Sequence, residues 1–150
     1  MDQPEHGQEG AGDAREQEGA PVDPQVMRSP FDELLGTERV EAGPDRVVAR
    51  LEVDERHHQP TGVVHGGVYA AVIETVASVG ATLALEGAGA AMGIGNHTQF
   101  LRATAAGATL TFTAEPVQRG RTLQLWEVAV TDEHERAVAH GSVRLINRLG

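Results

Sequence analysis

From Gly67 to about Leu85 the chain runs nineteen residues without a proline and with one charge, Glu74. At about 100° per residue, Val68, Val72, Thr75, Val76, Val79 and Leu83 fall on one stripe of a helix, which must pack on another element. The opposite side carries Gly67, Ala70, Ala71, Glu74, Ala77, Ser78 and Ala81. A surface helix normally turns Lys, Glu and Gln outward, so a face of small residues predicts close approach by a second surface. No other segment offers a helix of comparable length, and the expected partner is another copy of the chain.

The remaining segments predict strands and turns. Val47, Ala49, Leu51 and Val53 alternate with Arg50, Glu52 and Asp54 over Arg46 to Asp54, which is strand period. Four further strands are expected at about 91–103, 108–118, 121–132 and 136–147, parted by turn signals such as Ala105-Ala106-Gly107 and Arg119-Gly120. Ser29-Pro30 predicts a short capped turn or helix between Met27 and Leu35. One strand, one long helix and four strands make an α+β domain in which an antiparallel sheet covers a single helix.

Composition narrows the chemistry. The 150 residues fit one domain, and 3% aromatics dictate an aliphatic core. Cysteine is absent, which removes disulfides, Cys-zinc sites and Cys nucleophiles. All 12 basic residues are arginines and the net charge is −10, disfavouring a general nucleic-acid partner. Residues 1–25 hold seven acids against Arg15 alone, so an acidic, disordered tail (1–25) is expected before a domain at 26–150. The tail has no basic and apolar signal regions, and no stretch of about 18 apolar residues is evident, so a cytoplasmic chain without a membrane span is the expectation. His57, His58, His65 and His97 match no zinc spacing, and no metal is expected. Nucleophile-elbow, dinucleotide and P-loop motifs are missing.

Glu74 is the one acidic or basic side chain, histidines aside, between Arg56 and Glu86. On an occluded small face its carboxylate would lose water and become a candidate for chemistry; the plain alternative is a solvated or capping residue. Ser78 lies one turn further along and can bond the carboxylate or hold a water beside it. Upstream, Gln59-Pro60-Thr61-Gly62-Val63-Val64-His65-Gly66-Gly67 enters the helix, whose free N–H groups can bind an anion or a developing oxyanion. The two glycines equally permit a tight turn, and Gln59 and His65 have no specific role on spacing alone.

These residues resemble the hotdog-fold acyl-CoA thioesterases: the Gln59–Gly67 segment, Glu74 seven residues later, Ser78, the Gly95-Asn96-His97-Thr98 run, the Arg119–Thr122 turn and Trp126. The resemblance spans roughly 45–148 and is greatest to the aryl-CoA branch, which includes 4-hydroxybenzoyl-CoA and 1,4-dihydroxy-2-naphthoyl-CoA thioesterases and PaaI-type proteins. It implies an antiparallel sheet wrapped around the helix, and dimers, often paired into tetramers, with active sites between subunits. Glu74 would attack the thioester carbonyl or activate water, with Ser78 positioning that water. The Gly66 amide would polarise the carbonyl, Gly67 would lie against the substrate, and Gln59 and His65 would align the acyl group from the neighbouring subunit. Arg102, Arg121, Thr122 and Arg148 would meet coenzyme A, which is part of the substrate, so no separate cofactor is implied. Two departures are Glu135, where many relatives have Gly, and Arg121, where one subgroup has a small hydroxyl residue. Other readings of the pattern are a non-catalytic acyl-CoA-binding or sensing module and a medium-chain acyl-CoA or acyl-carrier-protein thioesterase.

Overall fold

The proline-free run forms helix α2, Gly66–Leu83, in the computed structural model, which describes residues 22–150. It starts one residue earlier than the sequence predicts because His65 is the N-cap, its Nδ1 accepting the Gly67 N–H at 2.8 Å. It stops short of Leu85, and the chain turns back through Glu86 and Gly87, both at positive φ.

Around it lie α1 (Pro30–Leu35), β1 (Thr37–Ala42), β2 (Val47–Glu52), β3 (Gly89–Phe100), β4 (Thr109–Arg119), β5 (Leu123–Thr131) and β6 (Ala137–Leu149). The strands form one antiparallel sheet of six in the order β1-β2-β4-β5-β6-β3. α2 packs on it, touching every strand. Five strands match the expected ones, and β1 is an addition. Its inward residues are Thr37 and Arg39, while Val40 points out, so the apolar alternation that marks β2 is absent. Arg39, 3% exposed, is tolerated because its guanidinium donates to the carbonyls of Pro24 and Val26 and pairs with Asp32 at 3.3 Å.

The helix faces also differ from expectation. Tyr69, Val72, Ile73, Val76, Ala77, Gly80 and Ala81 are buried, so Ala77 and Ala81 belong to the core face and half-exposed Thr75 to the open one. The open face is Gly67, Ala70, Ala71, Glu74, Thr75, Ser78 and Thr82, and in the single chain Glu74 is exposed rather than occluded. By length and composition alone α2, with a mean hydropathy of 1.3, is long and apolar enough to cross a membrane, a property that the core helix of a globular domain shares. The sheet accounts for that apolarity. A Cβ on Gly80 would lie 2.5 Å from the Trp126 ring, and one on Gly141 of β6 would lie 2.5 Å from Ile73, so two glycines allow helix and sheet to approach closely. Trp126, Phe112, Leu51, Ile73, Leu110 and Leu145 are fully buried there, each worth about 1.5–3 kcal/mol of transfer free energy.

The expected acidic tail lies outside the described residues except for residues 22–25. Gln25 Nε2 donates to the Arg39 carbonyl at 2.7 Å, and Pro24 receives the Arg39 side chain, so contacts with β1 begin before residue 26. In the last hairpin Glu135 takes φ 59, the left-handed conformation that favours glycine.

Candidate active site

The loop before α2 is held at several points. His65 N–H donates to the His57 carbonyl at 2.7 Å and Val64 N–H to the Thr104 carbonyl at 2.8 Å, while a turn closes from the Gly62 N–H to the Gln59 carbonyl at 3.0 Å. His57 itself is a core residue: Nδ1 accepts the Asp54 N–H and Nε2 donates to the Leu35 carbonyl, which fixes a neutral tautomer. The Gln59 side-chain oxygen is taken by the Thr61 N–H at 3.2 Å, leaving its NH₂ as the available donor. Because His65 Nδ1 accepts from Gly67, its proton sits on Nε2, a second donor. The Gly67 amide is thereby occupied. The Gly66 amide donates to no backbone carbonyl among the described residues and is the free N–H of the helix start.

Gln59, His65, Gly66 and Arg102 line one cavity of about 560 Å³, together with Tyr69 and Phe100, which sequence reasoning did not single out. Gly66 has to be glycine for Phe100 to lie where it does, since a Cβ would stand 2.6 Å from that ring. Burial pushes the Tyr69 phenol up, and the Thr104 hydroxyl beside it pulls weakly the other way, yet neither oxygen has a hydrogen-bond partner of proper geometry.

Glu74 and Ser78 line a second cavity of about 470 Å³, with Ala71, Thr75, Val79 and Thr82 of α2 on one side and Met27, Ser29, Phe31 and Asp32 on the other. Glu74 reaches over β3 where Gly93 leaves room; a Cβ there would lie 3.0 Å from the carboxylate. The β3–β6 register shifts at this point, between Gly93 and Gly95, so the strand bulges beside the carboxylate. Further along β3, Asn96 Nδ2 donates to the Ala70 carbonyl at 2.9 Å and ties the strand to the open face of α2.

A single chain therefore does not bring all the expected residues together. Gly66 and Glu74 are eight residues apart on one helix, ~12 Å along its axis, and open into different cavities. The arginines divide as well. Arg121 and Thr122 sit in the β4–β5 turn, whose carbonyls receive Asn147 beside Arg148, whereas Arg102 follows the far end of β3. Arg148 pairs with Ala90 and Phe100 with Ala139, so a strand length of roughly 30 Å separates these groups. All four residues are exposed.

Comparison with known proteins decides the family. The family model described as Thioesterase superfamily matches residues 61–139, which contain the helix start, Glu74 and β3. The chain belongs to the thioesterase superfamily. A Mycobacterium tuberculosis protein named as an esterase, Rv1847/MT1895, is 47% identical over 121 residues, 79% of this chain and 86% of the relative. Its solved structure superposes with a TM-score of 0.79 at 46% identity, covering 81% of this chain and 98% of that one. A 1,4-dihydroxy-2-naphthoyl-CoA hydrolase of Listeria monocytogenes is 38% identical over 104 residues, 69% of this chain and 84% of its own. The Haemophilus influenzae thioesterase HI1161 gives a TM-score of 0.78 at 30% identity, over 84% of this chain and 87% of that one. The hotdog architecture and a thioester hydrolase activity follow for this superfamily member.

Proposed function

We propose that this thioesterase hydrolyses acyl-CoA thioesters carrying an aromatic acyl group, at sites built from two copies of the chain. The observation that carries the reading is the division of the chemistry along α2: a free helix-start amide with two side-chain donors at one end and a lone carboxylate ~12 Å away. Neither half suffices alone. A carbonyl held at Gly66 of one copy can meet Glu74 of another if the open faces of two α2 helices lie antiparallel, and small residues along that face allow the approach. Edge strand β3, with Met92 and Ile94 more than half exposed, offers an apolar border for the same contact.

In this site the thioester oxygen accepts from the Gly66 N–H, aided by the helix-start dipole, and Gln59 and His65 fix the acyl group by donating to it. Glu74 then attacks the carbonyl carbon, or takes a proton from a water that attacks it. Either way a tetrahedral oxyanion forms at Gly66, the carbon–sulfur bond breaks, the thiolate of coenzyme A leaves and is protonated, and the free acid departs. On the covalent path a water beside Ser78 cleaves the acyl-Glu74 anhydride. Arg102 from one side and Arg121, Thr122 and Arg148 from another copy would receive the phosphates of coenzyme A, which needs no further cofactor. The 38% identity to a naphthoyl-CoA hydrolase supports an aromatic acyl group. A panel of aromatic and aliphatic acyl-CoA thioesters tests this: kcat/KM is expected to be higher for the aromatic members, and a preference for aliphatic chains would reject the substrate assignment.

A further inference from the structure

The wall of the Glu74 cavity that faces α2 comes from the segment Pro24–Leu35, which lies outside the matched family region. This segment is unusually well fixed for one so near the start of the described chain. Arg39, buried under it, donates Nε to the Pro24 carbonyl at 3.0 Å and Nη2 to the Val26 carbonyl at 2.6 Å, and pairs through Nη1 with Asp32. Arg28 Nη1 reaches the Thr37 carbonyl at 2.9 Å, and Ser29 and Asp32 cap α1 reciprocally. Met27 sits between two of these anchors at φ 56, a left-handed conformation that an unbranched apolar residue adopts only when its surroundings impose it. The consequence is a Met27 and a Phe31 that remain 45% and 49% exposed, both lining the cavity that holds Glu74.

We propose that Met27 and Phe31 are the acyl-selecting wall of the Glu74 site and that buried Arg39 is the positioning residue that holds them there. This rests on the reading of Glu74 as the group that meets the thioester. An acyl carbon at that carboxylate puts the acyl substituent between Thr75 and Val79 of α2 and the two apolar side chains opposite. A flat ring suits this slot: a phenyl face and a thioether both gain from aromatic contact, while a methyl group reaches neither. Selection is thus made by a short N-terminal lid clamped to β1, not by the helix that carries the chemistry.

The test uses the full chain and two inert thioethers, phenacyl-CoA and acetonyl-CoA, with calorimetric binding constants. In the wild type phenacyl-CoA binds more tightly, and in Met27→Ala/Phe31→Ala the ratio of the two affinities falls about tenfold. Leu34→Ala, on the same helix but 68% exposed and off the cavity, keeps the ratio. Arg39→Met lowers the ratio in the wild-type background but not further in the double variant, a non-additivity that general destabilisation would not produce. An unchanged ratio in the double variant, or an equal loss from Arg39→Met in both backgrounds, overturns the proposal. Binding is separate from turnover, so a shifted ratio in a protein without Glu74-dependent hydrolysis upholds the wall and overturns only the reaction.

Discussion

Gly66 occupies the first helical position of α2, where proline is tolerated because its missing N–H has no intrahelical partner. His65 before it has φ −65 and ψ 134, inside the region that a following proline demands. Gly66→Pro therefore deletes the proposed oxyanion donor while leaving the backbone path intact. A Cβ at 66 meets the Phe100 ring at 2.6 Å, but that ring is 60% exposed and free to turn aside. Gly66→Ala brings the same Cβ and keeps the N–H, so the pair isolates the amide. Loss of one such donor costs ~10²–10³ in kcat, about 2.7–4 kcal/mol of transition-state stabilisation. Steady-state kinetics on an arylacyl-CoA, with thermal melts to confirm folding, should place Gly66→Pro at least ~100-fold below Gly66→Ala in kcat, with similar KM. Equal kcat in the two variants would refute the amide's role.

Three more outcomes follow from the same geometry. Re-associating equal amounts of Glu74→Gln and Gly66→Pro should recover about one quarter of wild-type turnover, since half of the twofold dimers are mixed and each holds one intact composite site; activity no greater than the parents' would place the whole site in one chain. Gly80→Ala should destabilise the fold by about 1–2 kcal/mol despite better helix propensity, because its Cβ meets the Trp126 ring at 2.5 Å and that ring is pinned to Gln124; a raised melting temperature would contradict this. Burial pushes the Asp132 carboxyl up, but hydrogen bonds from Arg136 and the His134 N–H outweigh it and hold the group below its ordinary 3.8, so its contribution is full above that value and fades as pH falls through the folded-state value. Urea unfolding of wild type and Asp132→Asn should therefore differ most at pH 7 and differ less as the pH falls from 3.8 through the folded-state value, and a gap that does not narrow would count against the ion pair.

The long helix and the fully apolar side of β2 were legible because both rest on periodicity, which one chain displays. β1 was not, because its inward residues are Thr37 and Arg39, and only three-dimensional contacts with Pro24, Val26 and Asp32 make a buried guanidinium acceptable. The inward placement of Ala77 and Ala81 depends on the close approach at Gly80 and Gly141, which size alone does not disclose. In the site, Glu74 stood out as a charge without neighbours in sequence, and His65-Gly66-Gly67 as a helix start. Gly93, Tyr69, Phe100, Met27 and Phe31 carried no such mark, since each earns its place through a contact distant in sequence. The separation of the two halves along α2 was present in the numbering, yet its meaning depends on which cavity each half opens into.

The proposed reaction turns on the Glu74 carboxylate. Glu74→Gln keeps the size of the side chain and removes its charge and basicity, so turnover of an arylacyl-CoA and binding of phenacyl-CoA can be measured on the same protein. The predicted result is a loss of kcat of about 10³-fold or more with phenacyl-CoA affinity held within a factor of a few. A kcat near that of the wild type would contradict it.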